Sequence, residues 1–185
     1  MQVETGDSKL TYDDLLRLPD DDLRHELIDG AHYVTPAPVT KHQRISRELL
    51  HLLVQFLKEH PLGEVFAAPF DVVLSTYDVV EPDLVYLSNE RGPLLTEQNL
   101  QGPPDLVVEI LSPGTSRRDL GLKRDLYQRA GVLEYWIVDP DRDEVTVDRR
   151  IDERFGAPEA LSKASADVVT TPLLPGLTIP LVRIF

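Results

Sequence analysis

The sequence has 185 residues, 42% of them hydrophobic and 28% charged, with no cysteine and a formal net charge of −13. That length suits one domain over residues 1–185 with a core of its own, and no apolar run approaches the roughly 18 residues needed to cross a bilayer. The acidity argues against broad adhesion to nucleic acid or anionic lipid, so any polyanion site must be local. The opening "MQVETGDSKL" carries neither a basic nor an apolar segment, so a cytoplasmic protein without disulfides is expected.

In chain order, "TYDDLLRLPDDDL" (11–23) reads as a short helix with Thr11 as its N-cap and acidic residues in its first turn. "RHELIDGAHYVT" (24–35) reads as two strands turning at Asp29-Gly30, a dipeptide that tolerates positive φ. From Thr40 the period changes: Ile45, Leu49, Leu52, Leu53, Phe56 and Leu57 recur at helical spacing until "HPLG" stops the helix near residue 60. The runs "EVFAAPFDVVLS", "PDLVYLS" and "PDLVVEILS" suggest adjacent strands of one sheet. After the loop "SPGTS", residues 117–130 read as a second helix capped by Gly131. The strand "GVLEYWIVDP", a hairpin ending in "EVTVDRR" and the terminal run "PGLTIPLVRIF" follow, while residues 152–168 are polar and carry little signal. Neither repeats nor a linker divides the chain, and the expected class is α/β around a central mixed sheet flanked by helices.

Charge sits where this pattern calls for apolar residues. Along "PPDLVVEILSP", Asp105, Val107, Glu109 and Leu111 share one face and Leu106, Val108 and Ile110 the other. Both faces are mostly apolar, as in a strand covered on both sides, so Glu109 should be desolvated. An ionised carboxylate there costs several kcal/mol unless a cation, a metal or a proton compensates it. At about 100° per residue, Asp119, Lys123, Leu126, Tyr127 and Ala130 form one stripe of the second helix, with Arg117, Arg124 and Gln128 opposite, which turns Lys123 inward. Asp83 opens a strand after Pro82, with Glu81 on the same pleat face. Such a pocket of oxygens suits a hard divalent ion such as Mg²⁺ or Mn²⁺. The histidines lack zinc-motif spacing, although His32 and His42 could meet in space.

Asp83 after a proline, Glu109 inside an apolar strand and a lysine soon afterwards resemble the metal-binding core of the PD-(D/E)xK nucleases, the restriction-endonuclease-like fold. More narrowly, "HELIDG", His42 opening a helix, "EPDLVYLS", "PPDLVVEILSPGTSRRDLGLKRDLYQRAGVLEYWIVDP" and "LLPGL" resemble the bacterial Uma-type restriction endonucleases, closely over residues 20–148 and loosely beyond. Two residues after Glu109, where the superfamily places its lysine, stands Leu111. The resemblance implies that Lys123 supplies the charge from the following helix. It further implies a metal-dependent, type II restriction-like DNA endonuclease. Asp83, Glu109 and the backbone carbonyl of Ile110 would hold Mg²⁺ or Mn²⁺, with Lys123 as electrostatic partner and Glu26 and His42 as accessory groups. Asp119 would tether Lys123, Arg117, Arg118 and Arg124 would contact the DNA backbone, and the enzyme would act as a homodimer.

Blander readings stand beside these. Glu109 and Lys123 would also suit a structural ion pair, Asp83 a turn, His42 a satisfied helix residue, and the arginines a solvated face. The alternative function is a noncatalytic domain that keeps the nuclease fold to bind nucleic acid or protein.

Overall fold

The structure, a computed structural model, describes residues 2–3, 9–19, 21, 23–35, 37–112 and 119–185, without the side chains of residues 2, 3 and 119. Strand β1 (Gln2–Val3) precedes helix α1 (Tyr12–Leu15), which Thr11 opens as expected. The Asp14 amide donates to Thr11 Oγ1 at 3.3 Å, and the Asp14 carboxylate accepts from the Thr11 amide at 2.9 Å, a reciprocal box. Strands β2 (Arg24–Ile28) and β3 (Ala31–Thr35) turn through Asp29 and Gly30, at φ 52° and 73°. Both lie in the left-handed region that a tight hairpin of matching twist requires.

Helix α2 (Thr40–Glu59) presents Ile45, Leu49, Leu52, Leu53 and Leu57 as one buried face. Then come β4 (Gly63–Ala67), β5 (Val72–Ser75), β6 (Asp78–Val80), β7 (Leu84–Ser88), β8 (Leu100–Gln101) and β9 (Leu106–Ile110). A π-helical turn (Asp119–Lys123) leads into α3 (Arg124–Ala130), closed by Gly131 at φ 92°. The chain continues through β10 (Glu134–Asp139), β11 (Glu144–Ile151), β12 (Arg154–Phe155), β13 (Glu159–Ser162), β14 (Val168–Thr170) and β15 (Thr178–Pro180).

The larger sheet runs β12-β11-β10-β9-β7-β4, with β13 also paired to β11. It is mixed: β9 lies parallel to β10 across the connection through α3, and antiparallel to β7. A smaller sheet runs β1-β3-β2-β6-β5-β8, and β14 pairs with β15. The run "EVFAAPFDVVLS" therefore does not stay in one sheet. β4 joins β7 in the larger sheet, whereas β5 crosses to the smaller one. Residues 152–168, silent in the sequence, include β12 and β13, which form by pairing with β11.

The alternation read along β9 divides the core. Leu106, Val108 and Ile110 pack with Ile45, Leu49 and Leu53 of α2 and with Trp136 and Val138 of β10. On the opposite face Val107 packs with Leu126 and Tyr127 of α3, Tyr135 and Ile137 of β10, and Val72 and Val80 of the smaller sheet. Glu109 shares the Val107 face, as the pleat requires.

Candidate active site

The site forms where the head of β7, the end of β9 and the start of α3 meet the hairpin β2-β3 and the first turn of α2. Pro82 leads directly into β7, and the adjoining Asp83 is only 4% exposed. Its Oδ2 accepts from the Ile110 amide at 2.8 Å and is paired with His42 Nε2 at 3.0 Å, while Oδ1 accepts from the Arg24 guanidinium at 3.0 Å. Burial pushes the Asp83 carboxyl upward. The His42 hydrogen bond, the charges of His42 and Arg24 and the Ile110 amide outweigh that, leaving it below its ordinary value.

Glu109 is equally buried. Its Oε1 accepts from the Lys123 ammonium at 2.7 Å and from the Tyr127 hydroxyl at 2.7 Å. Lys123, 2% exposed, also pairs with Glu26 Oε1 at 2.7 Å, and the same oxygen accepts from the Glu81 amide at 3.0 Å. One ammonium thus lies between two carboxylates brought from different sheets. Tyr127 holds its proton firmly, since burial first and the charge of Glu109 next raise its pKa well above the ordinary value.

Glu81 completes the acidic side. Its pKa rises to about 7, because burial and the nearby charges of Asp71 and Glu26 outweigh the opposing charge of Arg24.

The structure thus brings Glu26, Asp83, Glu109 and Lys123 together with the Ile110 backbone, and adds His42 through Asp83. It separates His32 from His42: the His32 ring pairs with His25 at 2.9 Å, because the antiparallel β2-β3 hairpin sets both side chains on one outer flank. Arg124 donates to both oxygens of the buried Asp148, at 3.0 and 2.8 Å, so its guanidinium is engaged within the protein. Arg117, Arg118 and the Asp119 side chain lie outside the described residues. Trp136 is buried in the core and donates to Glu134 at 3.0 Å. Asp105 stays at the entrance of its strand, where it accepts from the Ser88 amide at 2.7 Å and pairs with Arg91.

Two contributors escaped sequence reasoning. Tyr127 was visible as a polar tip on the inward stripe of the second helix. Arg24 was visible as the residue two before Glu26, hence on the same strand face.

All the acids are hard oxygen donors, the class that Mg²⁺ and Mn²⁺ prefer, and Glu81 Oε2 is buried with no hydrogen-bond partner. Among the described residues no three His, Asp or Glu side chains already converge as a metal cage; the protein's own cations hold Asp83 and Glu109. The donor set fits a hard divalent ion in chemistry.

A mixed sheet whose two central antiparallel strands carry Asp83 and Glu109, with a lysine folded back onto them, is a restriction-endonuclease-like core. The family model described as "Uma2: Putative restriction endonuclease" matches residues 12–182, and the chain belongs to that nuclease family. Its fold is similar to the crystal structure of "a putative nuclease belonging to DUF820 from Anabaena variabilis ATCC 29413", with a TM-score of 0.80 and 23% sequence identity over 95% of this chain and 97% of that one. A comparison with curated proteins finds no match. No helix among the described residues is long and apolar enough to cross a membrane.

Proposed function

We propose that the protein is a divalent-metal-dependent DNA endonuclease whose centre is Asp83, Glu109 and Lys123. The observation that carries this reading is the position of the Lys123 ammonium, 2.7 Å from Glu109, with Asp83 bonded to the amide of the next residue, Ile110. The position that Leu111 leaves without a lysine is thereby served from the following helix.

Asp83, Glu109 and the carbonyl of Ile110 would hold Mg²⁺ or Mn²⁺, which when bound lowers the pKa of water and offsets charge on a phosphodiester. The protein's own groups do the positioning. Lys123 fixes the Glu109 carboxylate and offers a buried positive charge beside it, where a low dielectric strengthens its field toward developing phosphoryl charge. Tyr127 holds the same carboxylate oxygen from the helix side, and Glu26 anchors the ammonium. His42 and the Ile110 amide orient Asp83, so that its carboxylate enters the site with fixed geometry.

The test is cleavage of supercoiled plasmid and of single-stranded DNA with Mg²⁺, with Mn²⁺ and with EDTA. Wild type should cleave only with metal, and Glu109→Ala and Lys123→Ala should each lose about a hundredfold or more of that activity. Cleavage that persists in EDTA or in Glu109→Ala would sink the assignment.

A further inference from the structure

Beside Asp83 the surface opens into a cavity of about 430 Å³, within the size range of sites for small ligands. Its wall includes Pro38 and Pro69, and Gln43 and Ser46 stand on α2 at its edge. Gln43 is exposed and Ser46 half-buried, and neither side chain makes a hydrogen bond within the protein. His42 and Glu81, both lining residues, are 3% and 9% exposed. Each carries a buried polar atom with no partner, His42 Nδ1 and Glu81 Oε2.

Those two atoms define the occupant's chemistry. With its Nε2 proton donated to the Asp83 carboxylate, His42 presents Nδ1 as an acceptor, and a carboxylate oxygen is an acceptor as well. A buried acceptor without a donor costs about as much as a lost hydrogen bond, so the ligand that completes this cavity brings N–H groups. A phosphate brings only acceptors and negative charge, and it would meet Glu81 and Asp83. The cation of the lining, Arg24, is already paired with Asp83.

A nucleobase edge meets these requirements: it is flat, apolar on its faces and a donor through its exocyclic amine. We propose that the cavity receives one unpaired nucleobase bearing an exocyclic amino group, turned toward Glu81 and His42, with Gln43 at the rim. This rests on the nuclease reading above and names its substrate class: strands with unpaired nucleotides next to the scissile bond, in preference to intact duplex. Extracting a base from a duplex costs a few kcal/mol. A chain of net charge −13 has little general attraction for the phosphate backbone with which to offset that cost.

The test is fluorescence anisotropy with labelled oligonucleotides, in Ca²⁺ and in EDTA so that binding is read without cleavage. The probes are a 12-residue oligo-dC, a 12-residue oligo-dT, the oligo-C ribonucleotide, and a mixed-sequence strand alone and in duplex. Wild type should bind oligo-dC or its RNA counterpart about tenfold or more tighter than oligo-dT, and the single strand tighter than its duplex. Ser46→Trp, which fills the mouth from an α2 position outside the catalytic set, should erase the preference for oligo-dC, and Gln43→Ala should weaken it. The difference between the DNA and RNA probes identifies the sugar. Equal affinity for oligo-dC and oligo-dT, tighter binding of the duplex, or a preference untouched by Ser46→Trp would each overturn the proposal. Selective binding without cleavage of any probe in Mg²⁺ or Mn²⁺ would keep the cavity's assignment while removing the catalytic one.

Discussion

The two faces of the larger sheet are built from the same strands and solve opposite problems. Against α2, Leu106, Val108, Ile110, Trp136 and Val138 meet a helix whose buried positions from Ile45 onward are leucine and isoleucine. Against α3 and the smaller sheet, the strand that contributes Val107 also contributes Glu109, and the covering elements bring Lys123, Tyr127 and Glu26. The first face gains stability directly from the apolar area it removes from water. The second holds ions that would each be costly if isolated, and tolerates them because every one has a partner of opposite charge or a hydrogen-bond donor. A strand covered on both sides can therefore serve as scaffold with one set of side chains and as reactive site with the alternate set.

The largest effect on stability is expected where that mutual compensation is broken. Lys123→Ala leaves the Glu26 and Glu109 carboxylates buried together and should cost about 3–5 kcal/mol at neutral pH. The cost should shrink as the pH falls, because a proton taken up by either carboxylate removes the uncompensated charge. Leu53→Ala, at a fully buried position of the apolar face, should cost about 3 kcal/mol through lost transfer energy and the cavity left behind. That cost involves no titrating group, so it should stay the same from pH 5 to pH 8. Urea unfolding of both variants across that range measures the contrast. A Lys123→Ala cost as insensitive to pH as that of Leu53→Ala would mean that the charged face is not held by its ion pairs.

The same contrast decides what could be read in the sequence. The face against α2 was legible as periodicity: leucines at helical spacing, and every second residue of β9. Asp83, Glu109 and Lys123 were legible as violations of periodicity, since each stands where the pattern requires an apolar side chain. The inward stripe located Lys123 although the turn that carries it is π-helical, because the stripe from Leu126 and Tyr127 already fixes the direction of α3. Other features were not local properties. β5 leaves for the second sheet although its residues resemble those of β4. β12 and β13 exist because β11 offers an edge, and Glu159–Ser162 has no buried residue to announce a strand. Arg24 becomes part of the site only when the hairpin closes over β7, a contact between residues 59 positions apart.

The smallest effect concerns Glu81, on the rim between the charged face and the open cavity. In the folded protein its pKa is about 7, against an ordinary value of 4.5. Below about pH 4.5 the folded and unfolded chains both hold this proton, and the group has no influence on stability. Between about 4.5 and 7 the folded chain keeps a proton that the unfolded chain has released, so rising pH favours unfolding. Above 7 the folded chain carries the full penalty of a poorly solvated charge. Screening by the solvent that reaches the side chain limits that penalty to about 1 kcal/mol. Glu81→Gln removes the titration, so in EDTA the variant should gain stability relative to wild type as the pH rises from 5 to 8, with little difference at the acid end. Thermal melts at half-unit steps of pH would show it, and a difference that stays flat would place Glu81 in contact with water like any surface carboxylate. A rising difference would mean that its unpartnered oxygen is held in a dry place, the condition under which a donor-bearing ligand gains most from filling the cavity.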